Sequence, residues 1–273
     1  MATVYLMSTK IKHPYHLVEE SPWPLLISNY RWGLTRGLAK WIHKKRIECI
    51  LVSLIILLCT AMVWWRDISR ESAFQGFHTK IVEEGLRLGI ILFITSEVFF
   101  FVSFFWAFFH SSLSPNVEIG SKWPPRGIIV FSPWGVPLLN TIILLSSGIR
   151  VTWAHKRFDC RFHDQSILSL IVTTLLGAYF TSLQAMEYQE ATFSIADSIY
   201  GSTFYIATGF HGIHVVVGTI FLIISCARLR LGQLSKSHHF GLIASIWYWH
   251  FVDIVWLFLY GWIYGWGSFR LEG

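Results

Sequence analysis

The sequence predicts an all-α integral membrane protein of seven transmembrane helices, and three observations predict it. Charged residues make up 14% of the chain and aromatics 17%, where soluble domains carry about 25% charged residues. A water-facing surface cannot be built for 273 residues from so few charges. The apolar residues gather into runs close to the roughly 20 that a helix needs to cross the hydrocarbon core. The Lys and Arg residues fall mostly in the short breaks between those runs, where headgroups and topology signals lie.

The first span, residues 24–42, is the weakest, because Arg31 and Arg36 interrupt it. Each arginine at mid-membrane costs roughly 2.5–3.5 kcal/mol on insertion scales. This segment is therefore expected to need snorkelling, tilt or protein cover. The other six spans are residues 47–65, 88–109, 136–154, 166–186, 200–227 and 242–266, each long and apolar. The longest polar breaks cover residues 66–87 and 110–133. The second contains Trp123, Pro124 and Pro125, which force an ordered turn in place of a helix. The first divides two helices from five, so two units are expected, 1–78 and 79–273.

Residues 1–12 lack the apolar core of a secretory signal and the Arg-rich amphipath of an import peptide. Insertion by the chain's own helices is expected. Counting cations on alternate sides gives the orientation. One side holds Lys10, Lys12, Arg66, Arg70, Lys80, Arg87, Lys156, Arg157, Arg161, Arg228, Arg230 and Lys236. The other holds Lys40, Lys44, Lys45, Arg46, Lys122, Arg126 and Arg270. The bias places the N-terminus on the inner face.

The net charge of +6 raises nucleic acid as a partner, but the basic residues form no stripe, so none is expected. Cys49, Cys59, Cys160 and Cys226 form no CxxC pair and read as small hydrophobes, neither a disulfide framework nor a zinc site. No GxxxxGK(S/T) or GxGxxG phosphate loop appears.

Glu97 is the sharpest signal, the sole charge in LGIILFITSEVFFFVSFFWAFF. Its neighbours three and four positions away are Phe93, Ile94, Phe100 and Phe101. Desolvation there disfavours the carboxylate, so the neutral acid is expected. An ionisable group at that depth is a functional candidate, and a carboxyl bonded to another helix accounts for it equally. His211 and His214 form an HxxH pair in ATGFHGIHVVVG. One pair supplies only two metal ligands. Gly209, Gly212 and Gly218 around it favour close helix packing, with buried histidines bonded across that interface. A proton-sharing contact with Glu97 is the favoured variant. His250 and Asp253 repeat the spacing in WYWHFVDIVW, and a structural His–Asp bond is expected. Trp64, Trp65, Arg66, Arg70, Phe74 and His78 form a headgroup-level cluster, either plain interfacial anchoring or a lipid site. Arg228 and Arg230, ahead of His238 and His239, look similar.

The blocks HPYHLVEESPWPL, WWRDISRESAFQGFHT, SEVFFFVSFFWAFFHSSLSP, WPPRGI, VPLLNTIILLSSG, IADSIYGSTFYIATGFHGIHVVVG and HHFGLIASIWYWHFVDIVWLFLYGWIYGWGS run from residue 13 to residue 268. Jointly they resemble the haem–copper oxidase subunit III family of mitochondria. The resemblance implies seven transmembrane helices, the first two splayed from a five-helix bundle to form a lipid-filled V-shaped cleft. It implies a non-redox core subunit of the complex that passes electrons from cytochrome c to dioxygen while pumping protons. This subunit stabilises subunit I, supports proton uptake and binds structural phospholipid. Catalytic residues and metals are expected to be absent from this chain, with haem a and copper in partner subunits. Phosphatidylglycerol or phosphatidylethanolamine is implied in the cleft, and cardiolipin beside Arg228. Subunits I and II and small accessory subunits are the implied partners. The implied location is the mitochondrial inner membrane, with the N-terminus in the matrix.

By motif, Glu97 corresponds to the family's carbodiimide-reactive carboxyl, and Arg66, Arg70, Phe74 and His78 to its lipid segment. Arg31 and Arg36, and Leu231 and Gln233 near Arg228, depart from the family pattern. Two rival readings are a free-standing multi-pass proton-coupled transporter, with Glu97 and His211 as relay, and a membrane di-iron desaturase. Inverted repeats and broken helices are missing for the first, and HxxxH and HxxHH boxes for the second.

Overall fold

The computed structural model describes residues 13–236 and 238–268. Lys10, Lys12 and Arg270 of the charge count lie outside the described residues. The fold is helical throughout: α1 Trp23–Lys44, α2 Glu48–Ala73, α3 Lys80–Leu113, α4 Val136–Asp159, α5 His163–Glu190, α6 Ser198–Arg230 and α7 Phe240–Phe258. Among the described residues there is no strand beyond one isolated bridge between Ser235 and His238. A single 3-10 turn, Val117–Ile119, follows α3, and α7 runs on as a π-helix over Leu259–Trp266.

Six of these helices are long and apolar enough to cross a membrane: α2 to α6, and α7 with its extension. α1 has the length, 22 residues, but not the apolarity. Arg31 and Arg36 sit within it on exposed positions, and the Arg36 guanidinium covers the Trp32 ring at 4.6 Å.

Two compact units divide the chain, residues 1–86 and 87–273. In the first, α1 and α2 form a hairpin that packs tightly at Gly37. A Cβ there would lie 2.9 Å from the Ile50 amide nitrogen. In the second, small hydroxyl residues are buried among a core of rings and aliphatic side chains, while many aliphatic residues face outward. Ser147, Ser166, Thr173, Thr208, Ser225 and Ser245 are buried, while Ile149, Leu168, Leu175 and Ile213 face outward. Lipid tails are as apolar as leucine, so burial of apolar surface cannot drive helices together there. Close packing by small residues and hydrogen bonds between helices must do so.

Trp249 of α7 shows how. Its ring is fully buried, and its Nε1 donates to Ser147 Oγ of α4 at 2.8 Å. A Cβ on Gly177 of α5 would fall 2.6 Å from this indole, and one on Gly218 of α6 would fall 3.0 Å from it. Four helices thus meet at one tryptophan because two of them carry no side chain there. Trp256, one layer along, repeats the device by donating to Thr141 Oγ1 at 2.9 Å. Of the three glycines expected near the histidines, Gly218 alone makes a tight contact. Gly212 faces open space, and Gly209 has only the Tyr188 hydroxyl at 3.8 Å from its would-be Cβ. α3 is held differently, at arm's length by rings: Phe93 on Tyr248, Phe101 on Phe251 and Phe105 on Phe258, with centroids 6.1–6.2 Å apart.

Candidate functional site

α3 places Glu97 within its apolar stretch, and α6 places His214 opposite it. Glu97 Oε2 and His214 Nε2 are 2.9 Å apart, with Glu97 23% and His214 12% exposed. The Phe101 and Phe251 rings stand edge-on to the imidazole, and Tyr248 stacks parallel to it. The other ring nitrogen, Nδ1, lies 2.6 Å from the carbonyl oxygen of Phe210. A carbonyl only accepts, so Nδ1 must carry a hydrogen. A hydrogen bond between Nε2 and Oε2 at this distance then needs one further proton, on either atom. Held on the carboxyl it gives acid and imidazole; held on the ring it gives carboxylate and imidazolium. Both arrangements have zero net charge, which is what a pair inside a bilayer requires.

His211, one turn earlier, is not part of this contact. It is buried to 1% exposure, with Nε2 3.2 Å from the Val252 carbonyl oxygen of α7. Phe180 and Trp256 pack on its ring. Nδ1 finds no partner among the described residues. The two histidines thus serve different interfaces, His211 toward α5 and α7 and His214 toward α3.

His250 and Asp253 lie side by side on α7, Nδ1 to Oδ2 being 3.8 Å. That is ion-pair range and too long for a hydrogen bond. His250 Nε2 instead meets Thr152 Oγ1 of α4 at 3.1 Å. Asp253 is buried against Gly148, where any Cβ would collide with Oδ2.

Comparison with known proteins decides what this bundle is. The family described as cytochrome c oxidase subunit III matches residues 13–268. The chain belongs to the cytochrome c oxidase subunit III family. It is similar to proteins described as cytochrome c oxidase subunit 3 over nearly its whole length. The relative from Drosophila yakuba is 58% identical over 262 residues, 96% of this chain and 100% of the relative. That from Locusta migratoria is 53% identical over 264 residues, again 96% and 100%. That from Branchiostoma lanceolatum is 55% identical over 256 residues, 94% and 98%.

Within this subunit III fold, the segment from Trp64 to His78, expected from sequence to meet headgroups, lies in the unit of α1 and α2. Trp64, Arg70 and Phe74 line a cavity of about 700 Å³ together with Trp23, Glu19, Glu20, Asp67 and Glu71. Trp65, Arg66 and His78 are not in that lining. Arg66 folds back on Asp67 at 2.9 Å, Trp65 faces outward, and His78 packs edge-on against His16. Arg228 of α6 is half-buried, its Nε without a partner among the described residues and its guanidinium close to Gly241.

One polar group escapes a reading by spans. Gln184 Nε2 donates to Glu187 Oε2 at 3.2 Å and to the Tyr264 hydroxyl at 3.4 Å, and all three residues are buried. A span ending at residue 186 puts Glu187 outside the membrane helix, whereas α5 continues to Glu190. The QxxE spacing, which sets both side chains on one face, is the signal that could have found it.

Proposed function

We propose that this chain is a non-redox core subunit of cytochrome c oxidase, embedded in the mitochondrial inner membrane with its N-terminus in the matrix. In this reading it holds subunit I intact, sustains proton uptake and retains structural phospholipid, beside subunits I and II and small accessory subunits. Haem a and copper belong to those partners, and the electron path runs through them. The observation that carries the reading is the match to the family from residue 13 to residue 268. Affinity purification of the tagged chain from mitochondria tests it. Co-purification with haem a at a fixed ratio is expected. Recovery of the chain alone, free of haem a, returns the transporter reading.

The contact between Glu97 and His214 supplies the chemistry this subunit contributes. It stores one mobile proton at zero net charge and joins α3 to α6. His211 and His250 act as polar ties within the bundle, the first to the Val252 carbonyl of α7 and the second to Thr152 of α4, with Asp253 packed beside Gly148.

Phospholipid retention rests on the segment from Trp64 to His78 and on Arg228. Among the described residues, four carboxylates (Glu19, Glu20, Asp67 and Glu71) and one arginine, Arg70, line the cavity there, and Arg66 already pairs with Asp67, which leaves three carboxylates to one arginine. That balance repels an anionic headgroup and suits a zwitterion, whose phosphate pairs with Arg70 and whose ammonium pairs with a carboxylate. Phosphatidylethanolamine is therefore the reading for this cavity, ahead of phosphatidylglycerol. Cardiolipin remains the proposal for Arg228. Substituting Arg66→Ala together with Arg70→Ala is expected to remove bound phosphatidylethanolamine and hasten inactivation during turnover, with most of the lipid loss following Arg70→Ala alone. Native mass spectrometry of the intact complex checks this, and an unchanged lipid complement sinks it.

A further inference from the structure

The described residues bring one group of three metal-capable side chains together: His155 and Asp159 at the end of α4, and His239 just before α7. One ligand atom from each lies within 4.8 Å of the others. We propose that this group is a divalent-cation site of the zinc class, clipping α4 to the segment that leads into α7. The proposal goes beyond the oxidase reading and departs from the expectation of a chain without metal.

Three observations carry it. His155 and Asp159 are four residues apart on one helix face, with Nε2 and Oδ2 3.9 Å apart. A helix presents two ligands to one ion at this spacing. The third ligand comes from a distant part of the sequence, and its ring is already oriented. His239 Nδ1 lies 3.2 Å from the Ser235 carbonyl oxygen, and that oxygen can only accept, so Nδ1 bears the hydrogen and Nε2 carries the free lone pair. Metal-bound histidines characteristically donate their second nitrogen to a carbonyl or carboxylate in this way. Phe158, between the two α4 ligands in sequence, packs on His239 at 5.1 Å and holds the ring beside His155, 5.9 Å away.

The donor set selects the ion. Two imidazoles and one carboxylate suit zinc, copper(II) or nickel(II), whereas magnesium and calcium require shells of oxygen. Bonds of 2.0–2.2 Å in a tetrahedron bring donor atoms to about 3.3 Å from one another. The three donor atoms, within 4.8 Å of one another, must draw together to reach that spacing, and the Asp159 side chain, 47% exposed, has room to move. Three protein ligands leave the fourth position for water. Lys156, Arg157 and Arg161 stand in the same stretch of sequence and disfavour a second positive charge. Binding is therefore reversible and weaker than at a structural zinc site.

The test uses the intact oxidase in detergent, stripped with a chelator, then treated with diethylpyrocarbonate with and without zinc chloride. Modification of each histidine is read by peptide mass spectrometry. At zinc ten times its apparent dissociation constant, mass action protects a site about tenfold, and that protection is expected at His155 and His239 together. His163, which packs on Phe158 but is not one of the three ligands, is expected to react at the same rate throughout. Asp159→Asn is expected to abolish most of the protection, and magnesium to give none. Equal modification of His155 and His239 with and without zinc overturns the site. Full protection in Asp159→Asn overturns the ligand set, and equal protection by magnesium overturns the metal class.

Discussion

Replacing Trp249 with alanine is expected to prevent accumulation of the assembled oxidase, or to lower its thermal midpoint in detergent by many degrees. Truncating a buried tryptophan costs about 3–5 kcal/mol through lost contacts and the cavity left behind. A bilayer offers no compensating hydrophobic drive between helices. The indole touches α4, α5 and α6 at once through Ser147, Gly177 and Gly218, so its loss loosens three interfaces and leaves the Ser147 oxygen without its donor. The control is Trp247→Ala two residues away, where the ring is 36% exposed and the expected change is small. Gly177→Val is the converse test, since its Cβ would press on both Thr219 Oγ1 and the Trp249 ring. If one contact is responsible, the two substitutions do not add, and Trp249→Ala relieves part of the Gly177→Val defect. Wild-type abundance and midpoint for Trp249→Ala would remove Trp249 from its central role in the bundle.

The sequence hides this tryptophan for a physical reason. WYWHFVDIVW presents several tryptophans in one helix, and periodicity alone does not say which points at small residues on three other helices. That is settled by the register of four helices, a property no single segment encodes. Span positions are far easier to read, because hydrocarbon thickness sets a length and charges punctuate it. The weakness of α1 is readable for the same reason, from Arg31 and Arg36. Glu97 stands out because its run carries no other charge, yet its partner does not. His211 and His214 are three residues apart, about 60° around the helix, and only the placement of α3 and α7 assigns one to the carboxyl and the other to a backbone carbonyl. The three ligands His155, Asp159 and His239 are hidden for a related reason. They lie in two polar breaks that the topology brings together at one end of the bundle.

The second large effect concerns Glu97 itself. Glu97→Gln is expected to abolish carbodiimide labelling of this chain within the membrane while leaving haem spectra unchanged. A carbodiimide takes the carboxyl proton on its nitrogen as the carboxylate oxygen adds to its central carbon. An amide supplies neither the acidic proton nor that oxygen nucleophile. The Glu97→Gln variant nevertheless keeps the tie to α6, because the new amide NH₂ donates to His214 Nε2 while Nδ1–H stays on the Phe210 carbonyl. Assembly is therefore expected to survive, with a change close to the 0.6 kcal/mol average for hydrogen bonds between membrane helices, about 1.7 kcal/mol at most. Glu97→Leu separates the two roles, since it leaves His214 Nε2 without a partner among the rings, a loss of about 1–3 kcal/mol. His214→Ala separates them the other way. Without the imidazole the carboxyl has no base to share its proton with, the neutral acid predominates, and labelling is expected to quicken. Undiminished labelling of Glu97→Gln would assign the reactive acid elsewhere. Slower labelling of His214→Ala would mean that the proton resides on the carboxyl only when the ring is present, which the shared-proton arrangement forbids.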